Sequence, residues 1–239
     1  MTASGARGEN NGAHDISEKD ARGFMLKKAG GSGIELTAEQ IEKFMRYVDL
    51  LLERNKIVNL TAITDIGEII VKHFIDSLSA LKYMDFSRGR TNIIDIGSGA
   101  GFPGMPFAIV KSGIDMTLVD ANLKKINFLT EAVKTLGLFN VNIIRARAEE
   151  IFKKPEFFGK YDYAFCRSLA PLIKSVEWCL PFVRPGGEFL AFKGPKAFRE
   201  AGEAETSIER SGGELKGIKP ACIPGLDHYI VVIIKKTGV

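Results

Sequence analysis

The 239-residue chain predicts an α/β fold: a mainly parallel, seven-stranded sheet with helices on both faces, entered through a helical N-terminal subdomain. Three observations carry this expectation. From residue 91 onward, short apolar strand patterns alternate with segments of helical spacing. The first of these strands runs into a glycine-rich turn, Asp95-Ile96-Gly97-Ser98-Gly99-Ala100-Gly101. Before residue 91 the apolar residues recur at helical spacing only.

Residues 1–36 are rich in Gly, Ser, Asn and charge and poor in bulky apolar groups, so they are expected to form a disordered leader. A targeting or RNA-contacting tail is the alternative. Thr37 followed by Gln40 reads as a capping box that starts a helix. Ile41, Phe44, Val48, Leu51 and Leu52 then mark its apolar face, and Ile66, Ile69, Ile70, Phe74, Leu78 and Leu81 mark a second. Residues 37–88 are therefore expected as a helical subdomain and 89–239 as the ligand-binding domain. In the latter, strands are expected at 92–96, 115–119, 141–145, 161–166, 188–192, 214–219 and 229–235. Helices are expected at 103–111, 122–136 and 172–183, with Gly137 stopping the second and Pro185-Gly186-Gly187 following the third.

Composition narrows the classes of function. The net charge of +4 permits nucleic acid as a partner without demanding it. Cys166, Cys179 and Cys222 form no CxxC pair, and His14, His73 and His228 make no ligand cluster. A disulfide framework or metal site is thus not expected, and a reducing cytoplasm fits best. No apolar run is long enough for a membrane span, and the N-terminus carries no secretory pattern.

Glycines at 97, 99 and 101 let the main chain turn tightly and let a ligand approach it without an intervening Cβ. The helix that follows directs its free N–H groups at the same place. The register is DxGxGxG, not the GxGxxG of dinucleotide sites. It matches better the first motif of Rossmann-like class I methyltransferases, which bind S-adenosylmethionine there. Asp120 ends the second strand, where a carboxylate can accept from ribose hydroxyls; as a helix N-cap it would have a structural role, and the two are compatible. Arg145 to Glu150 follow the third strand, beside the expected adenine position, or form a solvated charged loop. Arg167 and Lys193 end the fourth and fifth strands. Each can face a ligand in the crevice, or serve as a surface cation or a snorkelling strand end.

Several separated motifs then converge. They are Asn55-Lys56 with Asn59-Leu60-Thr61, His73-Phe74-Ile75-Asp76-Ser77, the glycine turn extended by Phe102-Pro103-Gly104, Arg147-Ala148-Glu149-Glu150, Arg167-Ser168-Leu169-Ala170, and Lys193-Gly194. Together they resemble the small-subunit ribosomal RNA guanine-N7 methyltransferase G family, also called glucose-inhibited division protein B, over residues 40–235. The resemblance implies methyl transfer from S-adenosylmethionine to N7 of a guanine in the 530 loop of 16S rRNA, free or within the 30S subunit, in the cytoplasm, with no role for DNA or a membrane. It implies cofactor contacts from Gly97, Phe102, Ala148, Glu149 and Arg167. Gly99, Gly101 and Asp120 join them on the fold argument. Asn59, His73 and Lys193 are candidates for the base or RNA site, although Asn55, Asn59 and Thr61 can also be turn residues and His73 can pair with Asp76.

Guanine N7 carries a free lone pair, so methylation needs no general base, and catalysis is expected to rest on positioning. Cys166 gains no role from such a reaction. An uncompensated cation against N7 would oppose it, which disfavours Arg167 there and leaves the cofactor carboxylate or an RNA phosphate as its target. RNA contacts are sought among Arg54, Lys56, Lys124, Lys125, Arg145, Arg147, Lys193 and Lys196. The competing readings are a methyltransferase of the same fold acting on another RNA, a protein or a small molecule; a catalytically silent ribosome-assembly factor; and, last, a nicotinamide dehydrogenase.

Overall fold

A computed structural model describes residues 18–152, 154–221, 223, 226, 229–238 of the chain. Cys222 and His228 lie outside the described residues, as do residues 1–17, which hold His14.

The leader is the first correction. Residues Glu18–Gly31 form a helix, α1. Its buried stripe is Ala21, Met25 and Ala29, at spacing of four. Two alanines supply little bulk, so the segment reads as non-globular, yet their small size lets α1 lie close against its neighbour. Arg22 Nε donates to Glu42 Oε1 at 2.6 Å across that contact.

Helix α2 spans Ala38–Val58 and opens with the capping box read from Thr37 and Gln40. Asn59 closes it in the left-handed conformation, at φ 52°. The second helical segment is not one helix. It divides into α3 (Ile66–Ile69), a wide π turn (Ile70–Ile75), α4 (Asp76–Leu78) and a tight 3₁₀ turn (Ser79–Tyr83). A π turn inserts an extra residue per turn and re-aims side chains. Here it carries Lys72 and His73, and Asp76 follows it.

The strands and helices then alternate: β1 (Thr91–Ile96), α5 (Gly104–Val110), β2 (Ile114–Asp120), α6 (Leu123–Leu136), β3 (Val141–Arg145), α7 (Ala148–Ile151), β4 (Tyr161–Arg167), α8 (Leu172–Cys179), β5 (Val183–Lys193), α9 (Ala197–Arg210), β6 (Gly213–Pro220) and β7 (Ile230–Lys236). A 3₁₀ turn, Leu180–Phe182, follows α8, so the third expected helix ends early. The sheet order is β3-β2-β1-β4-β5-β7-β6, parallel except for β7, which runs antiparallel to both neighbours. Order reverses between β1 and β4, the place where open α/β sheets bind ligands. The sequence reading misses α9. Its buried face is Ala197, Ala201, Ala204 and Ile208, again an alanine stripe.

One apolar layer joins α1, α2 and the π turn to α5, α6 and one sheet face. The other sheet face packs on α8 and α9. Tyr47 of α2 pins the first layer to the glycine turn, its hydroxyl donating to the Ala100 carbonyl. Cys166 and Cys179 are buried free thiols. Among the described residues no helix is long and apolar enough to cross a membrane.

Candidate active site

The glycine turn sits at the carboxyl end of β1, on the switch point. Gly97, Gly99 and Gly101 take φ of 72°, 60° and 91°, a region that side chains disfavour. The three differ in surroundings. A Cβ on Gly97 would meet Leu169 Cδ1 at 2.5 Å, and one on Gly101 would meet Tyr47 Oη at 2.4 Å and Met105 Cγ at 2.5 Å. A Cβ on Gly99 would come no closer than 3.9 Å to any group. Gly97 and Gly101 are therefore glycine because the protein fills the space, whereas Gly99 leaves its space open.

Two carboxylates hold the turn. Asp120 Oδ2 accepts from Gly99 N at 3.0 Å and Oδ1 from Asn122 N at 2.8 Å. Asp120 is not the cap of α6; Asn122 is, accepting from Lys124 N. Each Asp120 oxygen keeps a lone pair for a hydroxyl donor. Asp95 is fully buried, and its Oδ2 accepts from Gly104 N at 2.9 Å. Its Oδ1 has no hydrogen-bond partner among the described residues, and burial lifts the carboxyl to about 7. An open main-chain turn, acceptors at the β2 tip and a spare buried acceptor beneath fit an adenosyl cofactor that carries hydroxyls and an ammonium group.

The loop after β3 lies beside this turn, with Ala146 N donating to Asp120 O at 3.2 Å. A cavity of about 390 Å³ opens there, lined by Ala121, Arg145, Ala146, Arg147 and Glu150. Ala148 is buried at the start of α7 and Glu149 is exposed; neither lines that cavity.

A second cavity, about 590 Å³, lies beyond β1, over the carboxyl ends of β4 and β5. His73, Asp76, Arg167, Lys193 and Glu200 are among its walls. A chain of hydrogen bonds organises one wall. Asn55 Oδ1 accepts from Leu60 N and Thr61 N, and its Nδ2 donates to Thr61 O, which fixes the turn after α2. Thr61 Oγ1 lies 2.8 Å from His73 Nε2, and His73 Nδ1 lies 3.1 Å from Arg167 Nη2. Since arginine can only donate, His73 Nδ1 is the acceptor and Nε2 carries the proton. Arg167 Nη1 donates to Lys72 O at 3.1 Å and Asp76 Oδ2 at 3.2 Å. The expected His73–Asp76 pairing is thus replaced by a shared arginine. These contacts use three of the five Arg167 N–H donors and leave two for a ligand.

Three of the expected site residues stand in surroundings that the sequence did not indicate. Phe102 is 5% exposed and stacks on His73 at 4.5 Å between ring centroids, with the Arg167 guanidinium 5.0 Å from its ring centre. Its ring supports the network from within the core, so the side chain is not a wall of the crevice. Asn59 is exposed and does not line the large cavity; its left-handed φ serves the chain reversal that brings Thr61 to His73. Lys193 lies in the cavity wall but is not free. Its Nζ donates to Ala170 O at 2.6 Å and to Glu200 Oε2 at 2.9 Å. Glu200 is the site residue that sequence reasoning missed, because it lies on the unrecognised α9.

Burial, reinforced by Arg167, holds the His73 imidazole down at about 3. Burial pushes Asp76 up to about 6 against the pull of Arg167. The unfolded chain therefore binds the His73 proton between about pH 6.5 and 3 while the folded chain does not. This contribution to stability is complete above 6.5 and lost as pH falls. Asp76 acts oppositely between 3.8 and about 6, where stability falls as pH rises. A comparison with His73→Gln isolates the first effect. The wild-type minus variant unfolding free energy is expected to decline by up to ~1.4 kcal/mol per pH unit below 6.5. Denaturant melts across that range, with imidazole nitrogen NMR shifts, check it. A parallel pair of stability curves would refute a neutral buried His73.

Known proteins bear on this arrangement. The family profile GidB, described as rRNA small subunit methyltransferase G, matches residues 40–224. A relative from Clostridium perfringens (strain 13 / Type A), named ribosomal RNA small subunit methyltransferase G, is 44% identical over 214 residues, covering 88% of this chain and 89% of its own. One of the same name from Alkaliphilus oremlandii is 40% identical over 218 residues, covering 90% and 91%. Among solved structures, a SAM dependent methyltransferase from Aquifex aeolicus superposes with TM-score 0.51 at 19% identity, covering 67% of this chain and 89% of that one. M. jannaschii TYW2 in complex with AdoMet superposes with TM-score 0.51 at 17% identity, covering 66% and 74%. At such identities the structures establish the fold, a Rossmann-like class I methyltransferase. The profile and the relatives establish more: the chain belongs to the GidB family, the small-subunit rRNA methyltransferases G, and is an S-adenosylmethionine-dependent methyltransferase.

Proposed function

We propose that the chain transfers the methyl group of S-adenosylmethionine to N7 of a guanine in the 530 loop of 16S rRNA, in the cytoplasm where ribosomes are assembled. The observation that carries this reading is a cavity of about 590 Å³, roomy enough to admit a base, one strand away from the glycine turn, with its cation Arg167 already neutralised by Asp76. The relatives' names supply the small-subunit rRNA.

Gly97, Gly99, Gly101, Asp120 and the loop of Ala148 and Glu149 would hold the cofactor, with Arg167 turning its two spare donors to an anionic group. When bound, S-adenosylmethionine supplies a methyl group activated by a sulfonium. The residues of the chain then have to position the base. N7 loses no proton, so His73, neutral and with its own proton committed to Thr61, need not act as a base. His73, Phe102 and Asp76 lock Arg167, and Arg167 fixes one wall of the cavity. Correct placement of two reactants supplies roughly 7–11 kcal/mol of such a barrier.

Exposed cations surround this edge. Lys56, Lys124, Arg145, Arg147 and Lys196 are all exposed, whereas Arg54 is paired with Glu131 at 2.8 Å and Lys193 with Glu200. The first five are the phosphate contacts we favour. Labelled methyl transfer to 16S rRNA, 30S subunits and 23S rRNA tests the reading. Label is expected in the small-subunit RNA alone, free or assembled. With five such contacts, RNA affinity is expected to fall about 10²- to 10³-fold between 50 and 200 mM salt, and each Lys or Arg to Ala change should lower the salt slope by about 1. Label in protein or 23S rRNA would reassign the substrate. Cofactor binding with no transfer to any RNA would indicate a silent assembly factor.

A further inference from the structure

The far wall of the large cavity holds a buried ion pair that the methyl-transfer chemistry does not use. Lys193 is 8% exposed and Glu200 20% exposed at their side chains, with Nζ and Oε2 2.9 Å apart. Burying two charges costs several kcal/mol per ion and is weak evidence of a stabilising role, so the pair asks for another explanation.

Its unused valences are informative. Lys193 Nζ has three protons and gives two, to Ala170 O and Glu200 Oε2. Glu200 Oε2 accepts from Lys193 and from Leu172 N at 2.9 Å. Among the described residues no hydrogen bond reaches Glu200 Oε1. The wall therefore presents one donor beside one acceptor, held by the α8 N-terminus and the Ala170 carbonyl.

Guanine offers the complement on one edge: the O6 acceptor, then the N1–H and N2–H donors. Adenine offers a donor at N6 and an acceptor at N1, the reverse order. Orientation decides whether this edge meets this wall. The methyl donor's place is the turn after β1, and Lys193 ends β5, two places along in the order β1-β4-β5. Two strand spacings come to about 10 Å, room for one purine between them. N7 and the Watson–Crick edge lie about a right angle apart round the ring, so a purine seated in the corner between turn and wall can direct N7 at the turn while its Watson–Crick edge meets Lys193 and Glu200.

Building on the proposed function, we propose that Glu200, positioned by Lys193 and the Leu172 N–H, reads the Watson–Crick edge of the target base and makes this site select guanine. Glu200 Oε1, with two free lone pairs, accepts from N1–H and N2–H, and Lys193 donates to O6. The carboxylate also faces the positive charge that the ring acquires when N7 is methylated. Lys193 brings no net cation to the base because Glu200 balances it.

The test crosses enzyme variants with base variants. A 16S rRNA fragment is prepared with guanosine or inosine at the target; inosine lacks only the N2 amine. The full-length wild type is expected to prefer guanosine by roughly 10-fold, the scale of a good base contact. In Glu200→Ala that preference is expected to collapse to near unity, with guanosine methylation reduced roughly 100-fold or more. Glu200→Gln keeps an acceptor for Leu172 N and guards against misfolding. It is expected to lose the preference as well, while S-adenosylmethionine affinity by calorimetry stays within about twofold of wild type. Variants that methylate both RNAs more slowly but keep the wild-type preference would overturn the inference and leave the proposed function intact. A wild type that transfers no methyl to the guanosine RNA would overturn both.

Discussion

Gly99→Ala is expected to fold and to lose its cofactor, with S-adenosylmethionine affinity down roughly 10- to 100-fold. A Cβ at Gly99 would have its nearest neighbour at 3.9 Å, so the fold has room for it. The residual cost is the left-handed φ of 60°, about 1–2 kcal/mol. The methyl would stand in the open face of the turn, where a ligand must approach the main chain. Gly101→Ala is the contrasting case. Its Cβ would sit 2.4 Å from the buried Tyr47 hydroxyl and 2.5 Å from Met105, so it is expected to fail in folding before binding is reached. Calorimetric titration of the cofactor, with a denaturant melt of each variant, separates the two. Wild-type affinity in a folded Gly99→Ala would remove the cofactor from this turn.

Arg167→Ala is expected to damage stability and transfer together. Arg167 is 15% exposed at its side chain and Asp76 4%, and removing one member of a buried pair typically costs about 3–5 kcal/mol. The loss should depend on pH. Asp76 is already held at about 6 by burial, with Arg167 pulling it down. Without the arginine the folded carboxyl titrates still higher, while the unfolded one stays near its ordinary value. The folded variant then binds a proton that the unfolded chain releases, so its stability falls as pH rises into the neutral range. Urea melts should show a deficit that is small near pH 5 and full near pH 8. Arg167→Lys restores the charge but not the fork that reaches Lys72 O, Asp76 and His73 together, so transfer should stay depressed about 100-fold. Equal deficits at both pH values would place Asp76 outside the partnership.

These two cases mark what was legible in the sequence. The strand–helix alternation and the glycine turn were, because backbone sterics and apolar spacing are local properties. Gly97 and Gly101 report themselves by the side chains that crowd them. Two helices were not. The stripes of α1 and α9 consist largely of alanine, which gives little hydrophobic signal yet allows close packing. The π turn was hidden too, since Ile70, Phe74 and Leu78 keep a helical spacing of four through it. The site divided along the same line. Arg167 was placed correctly at a strand end, but its partners His73 and Asp76 lie 94 and 91 residues away, beyond any local pattern. Lys193 stands at a strand end as expected, but its carboxylate partner Glu200 stands on α9, outside any local pattern. The stacking of Phe102 on His73 joins residues far apart in sequence, so no local pattern announces it.

The most direct measurement is the identity of the product. 16S rRNA lacking the modification is incubated with the chain and S-adenosylmethionine, digested to nucleosides and resolved by mass spectrometry, with fragment mapping of the methylated position. The expected result is a single 7-methylguanosine within the 530 loop, strongly reduced with Gly99→Ala at limiting cofactor and with Arg167→Ala. A methyl group on another atom of guanine, or on another base, would contradict the account of the cavity.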